Sequence, residues 1–364
     1  MSVFDSPDYD GHEQVVFHAD PQSGLEAIIA VHSTVLGPSL GGVRMWPYAS
    51  EADAVTDVLR LSRGMTYKSA LVGLPLGGGK AVIVGDPRKD KSKALMSAMG
   101  RFVDRLCGRY IAAEDSGTSV EDLKQMARET EHVAGILDKR TPDGALANGD
   151  PSPSTARGVY AGIRAAVRYR FGREDLQGVR IAIQGVGSVG LRLAHRLTAA
   201  GAELFVADVY GPSLQRAVEE TGATPIPVED IHTLDVDVFA PCGLGGAIND
   251  RTLPEIRARI VAGAANNQLE RPRHGGELAR RGITYAPDYV MNAGGIIDIA
   301  NERTGYDAAA VAEQVDAIGT TLLDVFERAQ CENRPTHEVA DDMARARIEQ
   351  AVAPQIHPRH RAAG

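Results

Sequence analysis

A chain of 364 residues is longer than one hydrophobic core ordinarily fills, so two domains are the expectation. With 43% hydrophobic residues and charges of both signs it has a globular composition, and its formal net charge of -9 argues against nucleic acid as a main partner, because neutralising phosphates needs a basic surface. The acidic opening MSVFDSPDYDGHEQ lacks a charged-then-apolar leader and no apolar run is long enough to span a bilayer, so the expectation is a cytoplasmic protein with no membrane partner.

In chain order, VVFHAD (15–20) and LEAIIAVHS (25–33) are rich in β-formers and predict two adjacent strands. Ser50 then opens EADAVTDVLRLSRGMTYK (51–68). There Ala54, Val58, Leu61 and Met65 recur at helical spacing behind acidic residues, which predicts a helix with Lys68 near its end. In LPLGGGKAVIVGD (74–86), three glycines precede Lys80, which raises a phosphate loop as a first reading. That loop needs a glycine six positions before the lysine and a hydroxyl residue after it, and these positions hold Leu74 and Ala81. The segment reads instead as a glycine loop that folds back and brings the amines of Lys68 and Lys80 into one cleft. Two adjacent, buried cations lower a lysine pKa, which makes a neutral amine available as a base. Asp115, after the predicted strand in RYIAAEDSGTS (109–119), is placed to compensate the charge and move protons. On charge and spacing alone, solvated surface lysines and a turn aspartate remain the alternative. Cys107, Cys242 and Cys331 are widely spaced without a metal-ligand pattern and read as buried free thiols, with neither disulfide nor metal.

After TPDGALANGDPSPS (141–154) the pattern changes. TARGVYAGIRAAVRYRF (155–171) predicts an amphipathic helix, and VRIAIQG, AELFVAD, VDVFAPC, RIVAGAA and ITYAPD are short apolar runs separated by helical stretches, as in a buried parallel sheet. Val311, Val315, Ile318, Leu322 and Val325 predict one long amphipathic helix returning towards the first domain. GVGSVG carries the dinucleotide spacing in Gly185, Gly187 and Gly190, directly after a predicted strand and before a predicted helix. Gly185 permits the tight turn, Gly187 lets backbone approach a pyrophosphate, Gly190 lets helix and strand pack, and the helix N-terminus supplies amide donors. Asp208, about 20 residues on at the end of the next strand, would accept from the adenosine ribose hydroxyls and repel a 2′-phosphate, favouring NAD over NADP.

With GPSLGGVRMWPYAS, SRGMTYK, LPLGGGKAVI, AEDSGT, PSPSTARGVY, GVGSVG, DVFAPCGLGGAIND, VAGAANNQL and YAPDYVMNAGGIIDIA in this order, nearly the whole chain resembles the glutamate/leucine/phenylalanine/valine dehydrogenase superfamily, most closely its leucine and valine branch. The resemblance implies an α/β fold of two domains flanking a cleft. Residues 1–140 would form a substrate-binding and oligomerisation domain, joined again by helices in 331–364, and residues 141–330 a doubly wound Rossmann domain for NAD. It implies reversible oxidative deamination of an L-amino acid to a 2-oxo acid and ammonia, and a homo-oligomer. Carried over residue by residue, Lys68 binds the substrate carboxylate, Lys80 activates water, Asp115 shuttles a proton and Asn267 orients substrate beside the nicotinamide. The matching segments add Gly41 to the substrate site. They add Thr155, Val186, Ser188, Val189, Ala240, Pro241 and Cys242, with Asn267 again, to the cofactor site. The side-chain pocket falls on Leu40, Ala113, Ile296 and Ile299, mostly branched aliphatics with no charge for a γ-carboxylate, so leucine, valine or isoleucine is expected. An aromatic or broad specificity, and a non-catalytic NAD sensor, are the alternatives. GGVR, Asp150 and Asp298 depart from the commoner pattern, and Asp298, if it faces the pocket, would alter substrate choice.

Overall fold

The structure, a computed structural model, describes residues 3–140, 144 and 146–352. Part of the turn-rich segment (141–143 and 145) and the tail 353–364 of the returning C-terminal region therefore lie outside the described residues.

Strands β1 (Gln14–Asp20) and β2 (Leu25–Ser33) pair antiparallel, with Gln14 opposite Val31. β3 (Ser39–Trp46) leads into helix α1 (Glu51–Leu71), whose N-cap Ser50 accepts from the Asp53 amide, with acids in the first turn and Lys68 in the last. β4 follows (Gly77–Val84), and with it comes a correction: GGGK is no loop but the start of a central strand. Its glycines serve close packing. A Cβ on Gly78 would lie 2.0 Å from the Thr66 amide nitrogen of α1, one on Gly77 1.9 Å from Ser33 O, and one on Gly79 2.7 Å from the Tyr110 ring. After α2 (Lys93–Asp104), β5 (Tyr110–Glu114) completes a five-stranded sheet in the order β1-β2-β4-β3-β5, with β3 parallel to both neighbours.

Side chains alternate across this sheet. Val43, Ala81, Ile83 and Ala112 join a core with α2, which α3 (Val120–Met126) extends. The opposite face turns to α1, where Ala30 and Val82 pack on Ala54 and Val58. A short hairpin, β6 (Asp138–Arg140) with β7 (Leu146–Asn148), precedes α4 (Ser152–Phe171).

Next come β8 (Arg180–Gln184), α5 (Ser188–Ala199), β9 (Glu203–Ala207), α6 (Gly211–Thr221), β10 (Thr224–Pro225), β11 (Val238–Pro241), β12 (Ile260–Val261), α7 (Arg273–Arg280) and β13 (Thr284–Tyr285). Every pairing in the resulting sheet is parallel and its order is β10-β9-β8-β11-β12-β13. Strand order reverses between β8 and β11, so the crevice beyond their carboxyl ends is where ligands of such sheets bind. The expected doubly wound α/β architecture is thus present.

α8 (Asp288–Met291) and α9 (Gly294–Glu302) bring the chain back to the edge of that crevice. The single long helix expected over 311–325 is in fact two, α10 (Ala308–Asp316) and α11 (Ile318–Glu332), meeting at Ala317, and both pack on α4. The segment that reaches back to α1 is α12 (Thr336–Val352): Arg345 Nε donates to the Tyr67 hydroxyl at 3.0 Å and Arg347 to Ala70 O at 2.9 Å. One continuous core joins Tyr67 and Leu71 of α1 with Val339 and Ala344 of α12. Two of the three cysteines also depart from expectation. All are free, but Cys107 and Cys331 are exposed.

Candidate active site

On the face of the first sheet turned to α1, alternation selects Leu40, Gly42 and Arg44 from β3, Gly78 and Lys80 from β4, and Ala113 from β5, with Asp115 just beyond. Gly78 has no side chain, so α1 lies hard against β4 and its last turn delivers Lys68 to the same space as Lys80. The result is a cleft of about 300 Å³ that also collects Thr155 from α4, Val189 from α5, Asn267, and Ile296 and Ile299 from α9. Gly41 does not line it. Its alternation turns it to the far face, where a Cβ would collide with Gly79 O at 1.7 Å, and it is Gly42 that borders the cleft.

Lys80 is 6% exposed, and its Nζ sits 2.6 Å from Asp115 Oδ2. The same oxygen accepts from Arg44 Nε at 3.1 Å. Burial pushes the Asp115 carboxyl up, but Lys80 and Arg44 together outweigh it and hold the group well below the usual carboxylate range. A Cβ on Gly42 would lie 2.6 Å from Asp115 Cβ and 3.1 Å from Lys80 Nζ, so the missing side chain is what leaves room for the pair. Burial, reinforced by the neighbouring Lys80 charge, pushes the Lys68 amine down to about 8. Leu40, Ala113, Ile296 and Ile299 supply an apolar lining, each at most 6% exposed.

The remaining cofactor candidates gather outside the cleft, at the switch point. Gly185 turns at φ +97°, where a side chain would be strained, and its Cβ position lies 2.7 Å from Gly243 N, one residue past Cys242. A Cβ on Gly190 would meet Gly185 O at 2.0 Å, whereas nothing lies within 4 Å of the Cβ position of Gly187. Gly187 is also the N-cap of α5 and gives the helix no side-chain cap, so the amides from Ser188 onward have no side-chain acceptor there. Val186 N donates to Asp208 Oδ2 and Tyr210 N to Asp208 Oδ1, both at 2.8 Å, which fixes that carboxylate beside the turn. Ala240 and Pro241 end β11 next to β8, and burial pushes the Cys242 thiol up to about 12, far from a reactive thiolate. Open space over Gly187 and an uncapped twelve-residue helix suit a pyrophosphate. Val189 belongs to both regions and connects them.

Several lining residues were not singled out from the sequence as site residues. Leu61 and Met65, which the sequence marks only as part of a helical stripe, line the cleft two turns and one turn before Lys68, while Ala54 and Val58 are buried between α1 and the sheet. Asp288 and Asn292 also line it. Burial pushes the Asp288 carboxyl up although its Oδ2 accepts from Gln268 N at 2.8 Å, and Asn292 Oδ1 has no hydrogen-bond partner among the described residues. Asn267 adopts φ +50° at the cleft mouth, a conformation asparagine tolerates better than most residues. Asp298 does not face the pocket. It is fully buried behind Ile296 and Ile299 on α9, accepts from Ser154 Oγ at 2.7 Å and pairs with Lys139 Nζ at 2.9 Å. Asp250, Glu270 and His274 lie close enough to share a metal ion. However, His274 Nδ1 accepts from Arg271 N at 3.2 Å, which leaves Nε2 as the donor to Asp250 at 2.9 Å rather than a ligand.

Residues 12–132 match the family described as "Glu/Leu/Phe/Val dehydrogenase, dimerisation domain", and residues 207–352 the one described as "Glutamate/Leucine/Phenylalanine/Valine dehydrogenase". The chain is 49% identical to leucine dehydrogenase of Geobacillus stearothermophilus over 349 residues, 96% of this chain and 94% of the relative. It is 46% identical to phenylalanine dehydrogenase of Thermoactinomyces intermedius over 348 residues, 95% and 94% of the two chains. The crystal structure of L-tryptophan dehydrogenase from Nostoc punctiforme superposes with a TM-score of 0.80 at 42% identity, covering 94% of this chain and 97% of that one. A cleft carrying two lysines and an aspartate beside a dinucleotide crevice, in a chain so similar to these enzymes, belongs to an amino-acid dehydrogenase that uses a nicotinamide cofactor, and the protein is a member of the Glu/Leu/Phe/Val dehydrogenase family.

Proposed function

We propose that the chain carries out reversible, NAD-dependent oxidative deamination of branched-chain aliphatic L-amino acids. The observation that carries the substrate class is the lining of Leu40, Ala113, Ile296 and Ile299, which shares the cleft with the two lysines. A leucine-sized side chain gains by burial against it, whereas a γ-carboxylate among those four side chains would be buried without a cation.

In this reading the Lys68 ammonium takes the substrate carboxylate and so fixes the α-carbon. A bound nicotinamide would supply the hydride acceptor, and the substrate, its ammonium having given one proton to solvent, would be left as a protonated imine. Lys80 Nζ and Asp115 Oδ2 are close enough to exchange a proton. When Asp115 takes one from Lys80, the amine removes one from a water that attacks the imine carbon. The carbon–nitrogen bond of the resulting carbinolamine breaks as the pair gives a proton to the departing ammonia and takes up the one its hydroxyl releases, which leaves the 2-oxo acid. Asp208, held by the Val186 and Tyr210 amides, supports NAD over NADP, because a carboxylate there accepts from ribose hydroxyls and repels a 2′-phosphate. Assembly into a homo-oligomer through the N-terminal domain is in keeping with the dimerisation-domain match. Among the described residues no helix is long and apolar enough to cross a membrane, and we place the enzyme in the cytoplasm.

The direct test is reduced-cofactor formation by purified protein with NAD or NADP, across L-leucine, valine, isoleucine, phenylalanine, tryptophan, alanine and glutamate. Highest kcat/KM with the branched aliphatics and NAD is the expected result. A preference for phenylalanine or tryptophan would show that Leu40 and Ile296 leave room for a ring, and a preference for NADP would remove the role given to Asp208.

A pH effect follows from Lys68. Its amine must be protonated to bind a carboxylate and loses that proton as pH rises through about 8. The inhibition constant of 4-methylpentanoate, which has the carboxylate but no amine, should therefore be flat below pH 8 and rise about tenfold per pH unit above it. A constant value from pH 7 to 10 would take the carboxylate away from Lys68.

A further inference from the structure

The Lys80–Asp115 pair does not stand alone on its sheet. Arg44, two residues beyond Gly42 on the same face of β3, donates Nε to the very oxygen that Lys80 contacts, at 3.1 Å. The other end of the guanidinium is fixed too: its Nη1 donates to Asp57 Oδ2 of α1 at 2.9 Å, and the Tyr48 hydroxyl donates to that same Asp57 oxygen at 2.6 Å. A planar fork anchored at one end and directed at a carboxylate with the other is what a positioning group requires. The Arg44 and Asp115 side chains are only 17% and 15% exposed, so water screens the contact little.

We propose that Arg44, clamped by Asp57 and Tyr48, is a positioning residue for proton transfer: it holds Asp115 Oδ2 in register with Lys80 Nζ. The proposal rests on the reading of Lys80 and Asp115 as the proton-handling pair. Arg44 cannot itself pass the proton, because guanidinium does not deprotonate in proteins. Its effect is orientation and charge. A buried carboxylate facing one cation is easier to protonate than one facing two, and it is freer to rotate away from Lys80. The other ionisable groups whose charges act with Asp115 are Lys68 of α1, Tyr48 beyond β3, and Tyr110 and Glu114 of β5.

The experiment compares Arg44→Met, Arg44→Lys, Asp57→Asn and Lys80→Ala by pH profiles of kcat and KM and by fluorescence titration of the cofactor. In Arg44→Met we expect kcat to fall at least about tenfold, with KM and cofactor affinity within about threefold of the parent. The loss should deepen towards acid pH, because the carboxylate now titrates higher. Arg44→Lys should recover part of the loss, and Asp57→Asn should show a weaker version of it. Should Arg44→Met not fold, the Lys variant carries the same comparison, since a single ammonium cannot bridge Asp57 and Asp115. A kcat within threefold of the parent overturns the proposal, and so does a loss that is equal at every pH and matched by weakened substrate and cofactor binding. Near-normal turnover in Lys80→Ala would instead remove the underlying reading of the pair, whatever Arg44 does.

Discussion

Replacing Lys80 with alanine is expected to lower the turnover of the preferred amino acid by about 10²–10⁴-fold, the range usual for a lost acid–base group and equivalent to about 3–5 kcal/mol of barrier, while cofactor affinity stays unchanged. The separation is spatial. Lys80 sits on β4 of the first sheet and is ion-paired with Asp115, whereas the glycine turn and Asp208 belong to the second sheet. Removing a buried cation usually leaves its partner uncompensated and costs stability. Here Asp115 retains Arg44 at 3.1 Å, so the fold should survive and the loss should appear in kcat. Lys80→Met, which keeps the side-chain volume, should behave alike. Lys68→Ala should differ in kind: it removes the group given to the carboxylate and should raise KM as well as lower kcat. Steady-state kinetics with a cofactor titration of each variant makes the comparison, and turnover near that of the parent in Lys80→Ala would falsify its role in proton transfer.

What the sequence disclosed, and what it hid, follows from the range of the interactions. The dinucleotide turn was legible because strand, glycines, helix and Asp208 lie within one local unit, and each glycine has a conformational or steric reason visible in the spacing. The α1 helix was legible from Ser50 and the stripe of Ala54, Val58, Leu61 and Met65. The stripe could not tell that its first half meets the sheet and its second half the cleft, since that division depends on where β4 and α9 lie. The GGGK segment was misread as a loop because consecutive glycines ordinarily weaken strands. They are tolerated here since Ser33, Thr66 and Tyr110 already occupy the spaces their side chains would need. For Asp298 the sequence leaves open whether it faces the pocket. Standing two residues after Ile296 on α9, it turns instead towards Ser154 and Lys139, a direction set by tertiary packing. Arg44 and Asp57 are thirteen residues apart, on β3 and α1, and Arg44 meets Asp115 only across the sheet, so no local pattern announces them.

Gly78→Ala tests the other half of the construction, the close approach that sets the distance between the two lysines. The new methyl would lie 2.0 Å from Thr66 N, 2.3 Å from Thr66 Oγ1 and 2.5 Å from Thr66 Cα, contacts that real Cβ atoms do not make. Turning a side chain cannot relieve them, because two of the three atoms are backbone. Moreover, the Thr66 hydroxyl is held by His32 Nδ1 at 2.8 Å. Either α1 lifts or β4 sinks, and both moves disturb a packed interior. Overpacking of this kind costs about 1–3 kcal/mol when flexible groups absorb it, and backbone on both sides puts this case at about 3 kcal/mol or above. Scaling the unfolding entropy to 364 residues gives roughly 1–2 °C per kcal/mol, so a thermal midpoint lower by about 3–6 °C is expected. Lys68 stands two residues after Thr66, so a lifted helix should also withdraw its amine from Lys80 and raise KM for the amino acid with little change in cofactor affinity. Gly64→Ala supplies the contrast on the same helix: nothing lies within 4 Å of its Cβ position, and alanine there should gain about 0.5–1 kcal/mol from helix propensity and a less flexible unfolded chain. If Gly78→Ala melts with the parent and keeps its KM, then the glycines of β4 do not govern the spacing of the two lysines, and the approach of α1 to the sheet must be set by other contacts.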